Sequence, residues 1–585
     1  MIRLILSALL LPVAAAATDG FDPASPDATF EGADPALADL DGLPLWDRIE
    51  RHTDLAPVLF RQEDFAPGQA WADASELAPH GATLFGATEP HGRTFLLHAA
   101  PGWIAAPQPT PVLLVPGAGT NASGVLAVLA RQLAADGKAV FAVSFSHPHG
   151  DCFAEAEQIR NALARVRALT GAERVDVVAH SKGGVSAAIF GSHQPGVDWG
   201  PDGSRGAAYE AEGTPYDGSM RRLVLVGAPL AGLDSAFRWT APHAVTATAD
   251  VVITPSAWST YFPMTTASPL VSTDLADRDL LPDGTDAFPG QAQLLARFPQ
   301  HALPGTRADL GVYAAQPDWL TTYEGGFGLW SDSVGIDAAA EAGGDVVARL
   351  GTGLDPSIEL AVAAGTFPLL AVDRPAVVVD PLGGDFGAFV GQDEGFYADF
   401  FQAVLAPSFP DLELGADDVA GLRAGLLVPG EVSGLSDGVV FEASATATAG
   451  LVSRGAPLLE VKRFPLGHID LLWASPELGA ALVAQGEADP ELRHLVALGQ
   501  RYEADSVGWI AGLLADVVPG DDDDSADDDD AVDDDDDSAD DDDDSAGDDD
   551  DSAVVPDVTG CGCATGGVAT PWLLLLALRR RRCST

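Results

Sequence analysis

The chain has few cysteines, little positive charge, and no C-terminal apolar run long enough to cross a bilayer as a helix. Of its four cysteines in 585 residues, Cys561, Cys563 and Cys583 all lie near the C-terminus. Only Cys152 remains for the body of the protein, which excludes an internal disulfide there and leaves stability to the hydrophobic core. Roughly five hundred residues before the acidic tract give ample chain for one. Lysine and arginine number 31 against 87 acidic residues, for a net charge of −56. An aspartate-rich tract, Asp521 to Asp551, accounts for 22 of those negative charges and leaves about −34 elsewhere. The body is therefore acidic in its own right, which argues against nucleic acid as a partner. Near the C-terminus the apolar stretch from Gly566 to Leu578 is 13 residues, short of the roughly 20 that span a bilayer.

The tract itself lacks apolar content. Aspartate blocks separated by Ser-Ala or Ala-Val have nothing to bury and cannot fold alone. They read as a solvated spacer, and their self-repulsion favours extension, up to roughly 100 Å at about 3.3 Å per residue. The spacing lacks the glycine turn of a calcium loop.

What is present points to nucleophilic chemistry. In VDVVAHSKGG, Val175 to Gly184, an apolar strand stops at a serine flanked by small residues and followed by two glycines. A serine at a sharp strand-to-helix turn sits in strained backbone, and its neighbours two positions away, Ala179 and Gly183, must be small so that strand and helix can approach. An ordinary strand, turn and helix with a solvent-facing serine is the plainer alternative, and the surroundings weigh against it. PVLLVPGAGT, from Pro111, is a short strand with a glycine-rich turn, followed by a helical pattern with Val125, Leu126, Leu129 and Leu133 on one face. KAVFAVSF, from Lys138, is another buried strand, and Phe153, Ala156, Ile159, Leu163 and Val166 recur at helical spacing. RRLVLVGAP, from Arg221, is a further strand. This alternation predicts an α/β fold, a mostly parallel sheet covered by helices, with its site at the carboxyl ends of the strands.

A serine hydroxyl needs a base and a group to orient that base. LSDGVVFEASA places Asp437 in a turn before an expected short strand, and PLLEVKRFPLGHIDLLW places His468 in a loop after a strand. Ser181, Asp437 and His468 thus follow one another in the order Ser, Asp, His. His180 adjoins the serine and is expected to point away from its hydroxyl. His147 and His149 are the rival bases, but they precede the serine in the chain. Asp417 and Asp418 are the fallback acids.

On these residues the chain resembles bacterial lipases and esterases of the α/β-hydrolase superfamily, over two blocks, Pro111 to Pro229 and Leu435 to Trp473. The AHSKGG box is similar to the alanine-type box of some secreted bacterial triacylglycerol lipases, LVGAPLAG to their next strand, and SDGVV and GHID to their acid and base loops. In such enzymes a His-Gly pair after the first core strand opens the oxyanion hole; here Pro116 replaces the histidine and Gly117 is retained. The resemblance implies oxyanion donors at the N–H groups of Ala118 and Lys182, a carboxylic ester or lipid as substrate, an acyl-enzyme intermediate and no organic cofactor. Asp470 resembles a calcium-ligand position in some lipases, although an aspartate there serves equally to cap the following helix. A polyester depolymerase, an amidase or an acyltransferase would use the same triad, and a non-catalytic surface binding protein on this scaffold would be expected to lack part of it.

Residues 231–429 are expected to form a cap or lid insertion within a hydrolase domain of residues 18–518. It carries Trp258, Tyr261, Phe262, Trp319, Tyr323, Phe327 and Trp330, which would line an acyl pocket or lid or, more plainly, form the insertion's own core. Residues 1–17, with one arginine and the run LILSALLLPVAA, have the pattern of a secretory signal peptide. Residues 519–557 form the acidic linker. The last segment, 558–585, joins Cys561 and Cys563, the apolar stretch and four arginines. It resembles the C-terminal sorting signals called MYXO-CTERM in myxobacteria and related bacteria. The resemblance implies export, display on the cell surface or release, processing by a sorting machinery, and transient membrane contact through the tail.

Overall fold

The computed structural model describes residues 21–31, 45–56, 81–87, 90–233 apart from 119, 124 and 149, 343–366, 437, 439–489 and 494–516, with scattered positions at 290–341 and 395–416. Residues 1–17, the acidic tract and the C-terminal tail lie outside the described residues. So do Trp258, Tyr261, Phe262, Trp319, Tyr323 and Trp330, and of Phe327 only the backbone is described.

The first strands are β1 (Ala28–Glu31) and β2 (Arg48–Thr53), followed by helix α1 (Gly81–Phe85) and β3 (Thr94–Ala99). Strand and helix then alternate through β4 (Val112–Val115), α2 (Ala127–Ala135), β5 (Val140–Phe145), α3 (Cys152–Thr170), β6 (Val175–His180), α4 (Lys182–Ser192), α5 (Arg205–Glu212) and β7 (Met220–Val226). A two-stranded ribbon, β8 (Gly326–Phe327) with β9 (Asp332–Ser333), stands apart from the main sheet. Beyond it come α6 (Val346–Arg349), β10 (Glu359–Gly365), α7 (Glu442–Ala445), β11 (Leu458–Phe464), α8 (Pro476–Ala488), α9 (His494–Arg501) and α10 (Ser506–Leu514).

Among the described residues nine strands form one sheet in the order β1-β2-β3-β5-β4-β6-β7-β10-β11. The first three pairings are antiparallel and every pairing from β5 to β11 is parallel. Every residue of β4, β5 and β6 is buried, as strands covered on both faces require. One apolar layer joins the sheet to α3 and α4 through Phe153, Ile159, Val166 and Ile189. The opposite layer joins it to α2, α8 and α10 through Leu126, Leu129, Leu482 and Ile510. Val125, Leu126, Leu129 and Leu133, and the five α3 positions of the expected stripe, are all buried. This is the α/β-hydrolase fold.

Local sequence sets the helix ends. Asp151 caps α3 by accepting from the N–H groups of Phe153 and Ala154 at 2.8 and 3.0 Å, and Gly171, at φ 73°, closes it. Ser475 caps α8, with Pro476 at the first helical position.

Two expectations need correction. Residues 231–429 are not one insertion outside the sheet, because β10 lies inside that range and pairs in parallel with both β7 and β11. Val346, Val347, Leu350, Leu354 and Ile358 join the core layer of α3 and α4 as well. The strand was concealed because ELAVAAG is mostly alanine and glycine, with one β-branched residue to signal extended structure. Nor is there a strand after Asp437: the chain bends at 439–440 and enters the four-residue helix α7.

Candidate active site

The parallel strands end together on one edge. Val115 is level with Ala179, and His180 with Val226. The loops leaving β4, β6, β7, β10 and β11 therefore open at a common edge of the sheet, where an open parallel sheet places its ligand crevice.

Ser181 links β6 to α4 with φ 53° and ψ −128°, one of three non-glycine residues with positive φ among the described residues. A serine held there costs on the order of 1–3 kcal/mol and needs fixing on both sides. Its N–H donates to the Val226 carbonyl at 2.9 Å, and its own carbonyl accepts from the Gly184 N–H at 2.9 Å. The small residues serve the close approach that the sequence implied. A Cβ on Gly183 would collide with the Pro116 carbonyl, and one on Gly184 would stand 2.6 Å from the Ala228 Cβ.

Asp437 and His468 meet across 31 residues of chain. The His468 Nδ1 to Asp437 Oδ2 distance is 2.6 Å, a short charge-assisted hydrogen bond. The other carboxylate oxygen, Oδ1, accepts from the N–H groups of Val439 and Val440 at 2.9 and 2.7 Å. The His468 N–H in turn donates to the Asp437 carbonyl at 2.9 Å. Asp437 is fully buried, and His468 is nearly so. Gly365, the last residue of β10, makes room for the acid: a Cβ there would be 2.6 Å from that of Asp437. The acid thus sits at the carboxyl end of a sheet strand that ends 72 positions earlier in the chain, at Gly365.

Ser181 and the His468–Asp437 pair share neighbours. Gly227 follows the strand whose Val226 carbonyl holds the Ser181 N–H, and a Cβ on Gly227 would stand 3.2 Å from both Asp437 Oδ2 and His468 Nδ1. The His180 ring lies 4.5 Å from the His468 ring, centroid to centroid. His180 itself is buried, and its Nε2 is 3.1 Å from the His468 carbonyl. The sequence reading set this contact aside by treating His180 only as a residue facing away from the serine. Of the rival bases, His147 is buried and His149 lies outside the described residues, as do Asp417 and Asp418.

Ala118 lies half-buried in the turn after β4, and Lys182 is the first residue of α4. The N–H of Lys182 therefore belongs to the first helical turn, where amides have no intrahelical acceptor and the helix end favours negative charge. The Lys182 side chain is wholly buried and forms an ion pair with Glu155 of α3. Glu155 also accepts from the Ser186 hydroxyl at 2.8 Å. Burial pushes the Glu155 carboxyl above its usual range, although Lys182 and Ser186 pull the other way.

Asp470 begins a single 3-10 turn, Asp470–Leu472. Its carboxylate accepts from the Gly467 N–H at 3.3 Å and from the Tyr502 hydroxyl at 2.7 Å. Both oxygens are thus engaged by protein donors. Among the described residues no three His, Cys, Asp or Glu side chains are grouped to hold a metal. Its place is between the base loop and the α9–α10 region.

A family model described as Lipase (class 2) matches residues 109–195. That segment spans the loop after β4, the elbow and α4, but not Asp437 or His468. No curated protein matches the chain. Among solved structures, a lipase of Bacillus licheniformis in its mature form is similar at 12% identity, over 65% of this chain and 92% of that one, with a TM-score of 0.26. A gene product of Listeria innocua is similar at 13% identity, over 63% and 90%, with a TM-score of 0.24. At such TM-scores these likenesses decide nothing, and the fold rests on strand order and the elbow. The chain has the α/β-hydrolase fold, and its residues 109–195 are similar to class 2 lipases.

Proposed function

We propose that the protein is an exported serine hydrolase that cleaves carboxylic esters through an acyl-enzyme. The observation that carries this reading is the strained Ser181 at the strand-to-helix elbow, its N–H held by Val226, whose neighbour Gly227 lies against an imidazole already bonded to a buried carboxylate. Ser181 Oγ attacks the ester carbonyl carbon as His468 Nε2 takes the hydroxyl proton. Asp437 holds the Nδ1–H and stabilises the imidazolium. The N–H groups of Ala118 and Lys182 receive the oxyanion, each typically worth about a hundredfold or more in rate. The tetrahedral adduct collapses, the C–O bond to the alcohol breaks, and His468 returns the proton to the leaving oxygen. Water, deprotonated by His468, then releases the acid and restores Ser181.

The secretory pattern of residues 1–17 and the cysteine, apolar and arginine pattern of 558–585 support export and surface display. Fluorophosphonate labelling tests the chemistry directly. The adduct is expected on the Ser181 peptide, and Ser181→Ala is expected to lower ester turnover by about 10⁴ to 10⁶. An adduct on another serine, or undiminished turnover in that variant, would overturn the mechanism.

A further inference from the structure

His180 touches three parts of the site. It ends β6 next to Ser181, its Nε2 is 3.1 Å from the carbonyl of His468, and its Nδ1 faces the turn after β4, where a Cβ on Gly117 would be 3.0 Å away. That same Cβ would be 2.7 Å from the Ser181 Cβ. No other residue described above meets the nucleophile turn, the base loop and the glycine turn together. A carbonyl can only accept, so the Nε2 contact places the proton on Nε2 and leaves Nδ1 as a bare acceptor. Nδ1 is buried and has no hydrogen-bond partner among the described residues. A buried polar atom without a partner is costly, and a phenyl ring of similar size would fill the space without that cost. Volume alone therefore does not account for histidine here.

We infer that His180 is a positioning residue for the ester-cleaving reaction: its Nε2–H pins the backbone of His468, and its ring spaces the base loop from the Gly117 turn. The inference rests on the triad reading given above. Pinning the carbonyl of His468 fixes the base from its backbone side, while Asp437 fixes it from Nδ1. An imidazole held from both directions keeps Nε2 aimed at the serine through both proton transfers, and such transfers are sensitive to small misplacements. The device requires a neutral His180, since a second cation would oppose the imidazolium that forms on His468. Burial, reinforced by electrostatic opposition from the His468 ring, holds the His180 pKa well below the usual histidine range despite the bond to the His468 carbonyl.

Two variants separate positioning from packing. His180→Phe keeps a ring but removes the donor, and His180→Gln offers an N–H at similar reach. Each is assayed on a soluble short-chain ester beside the wild type and Ser181→Ala, with kcat expressed per Ser181 labelled by fluorophosphonate at completion, so that misfolded protein is not counted. The expected result is a tenfold or greater fall in kcat for His180→Phe with KM within about twofold, and recovery of most of that loss in His180→Gln. The acid limb of the pH profile is expected to stay where it is in the wild type, because His180 does not titrate in the working range. Wild-type kcat in His180→Phe, or equal losses in both variants accompanied by equal falls in melting temperature, would overturn the inference. Activity surviving in Ser181→Ala would instead overturn the triad reading, which keeps the two failures distinct.

Discussion

Single residues decide whether the Ser181, Asp437 and His468 constellation works as one unit. Asp437 has both carboxylate oxygens engaged, one on His468 and one on two backbone amides, so its side chain has little freedom to turn elsewhere. Residues that act in one proton relay are strongly non-additive. The double variant Ser181→Ala/His468→Ala is therefore expected to be about as slow as either single variant in steady-state ester hydrolysis; a product of the two losses would show independent roles. The elbow at Ser181 and the loop that carries His468 were legible in the sequence because small residues flank the serine and the histidine follows a strand late in the chain. His180 was legible only as a neighbour. Its contact with a carbonyl 288 residues away leaves no trace in local pattern.

Elements carry the electrostatics that hold the site's supports together. Lys182 opens α4 immediately after Ser181, and its wholly buried ammonium pairs with Glu155 on α3. Removing one partner of a buried pair leaves the other uncompensated, which typically costs about 3–5 kcal/mol, whereas replacing both by apolar or neutral groups of like size costs much less. Urea unfolding is expected to show Lys182→Met well below the wild type and Lys182→Met/Glu155→Gln recovering a large part of the loss. A second pair works between β2 and α3. Glu50 is buried and accepts from Arg165 Nε and Nη2 at 2.7 Å each, with His52 Nε2 at 3.1 Å. Burial alone would raise its pKa, but the bonds from Arg165 and His52 and the charges of Arg165 and Arg48 outweigh burial and hold it well below the ordinary carboxylate range. A lowered folded-state pKa means that the stabilisation is present above the unfolded-state value of about 4.3 and fades as pH falls below it. The melting-temperature gap between the wild type and Glu50→Gln is thus expected to be widest near pH 7 and to close progressively below about pH 4.5. A gap that widened on acidification would refute this sign. Elements also mark where sequence pattern failed. The alternation from β4 to β7 was visible because valine, leucine and phenylalanine runs alternate with helical stripes, while β10 hid in alanine and glycine. Its partner strands decide its place, and no local window contains them: β7 ends at Val226, 133 positions before β10 begins at Glu359, and β11 begins at Leu458, 93 positions after β10 ends at Gly365.

At the scale of the whole molecule, the last described residues are tied into the folded body. Asp516 accepts from Lys138 Nζ at 3.1 Å and Arg221 Nη1 at 2.5 Å, and Arg221 also bonds the buried Asp176 of β6. Just before it, α10 buries Val507, Ile510 and Leu514 against the sheet layer of α2. Packing within the described residues therefore extends through Asp516. The aspartate tract that follows has no apolar content to pack, and at physiological salt its charge is screened beyond about 8 Å. A chain ending near Gly520 is accordingly expected to fold and to hydrolyse esters like the full mature protein, whereas one ending before Ser506 is expected to lose both the α10 packing and the Asp516 ion pairs and to melt at lower temperature. In the native host the Gly520 truncation is expected to abolish surface retention while leaving activity in the medium, and replacing Cys561 and Cys563 by serine is expected to do the same if that cysteine pair is the processing site. Fractionating surface-bound and released enzyme for each variant, with ester turnover measured per labelled Ser181, checks both halves: unchanged retention would reject the sorting role of the tail, and lost turnover in the Gly520 truncation would move the boundary of the catalytic body into the acidic tract.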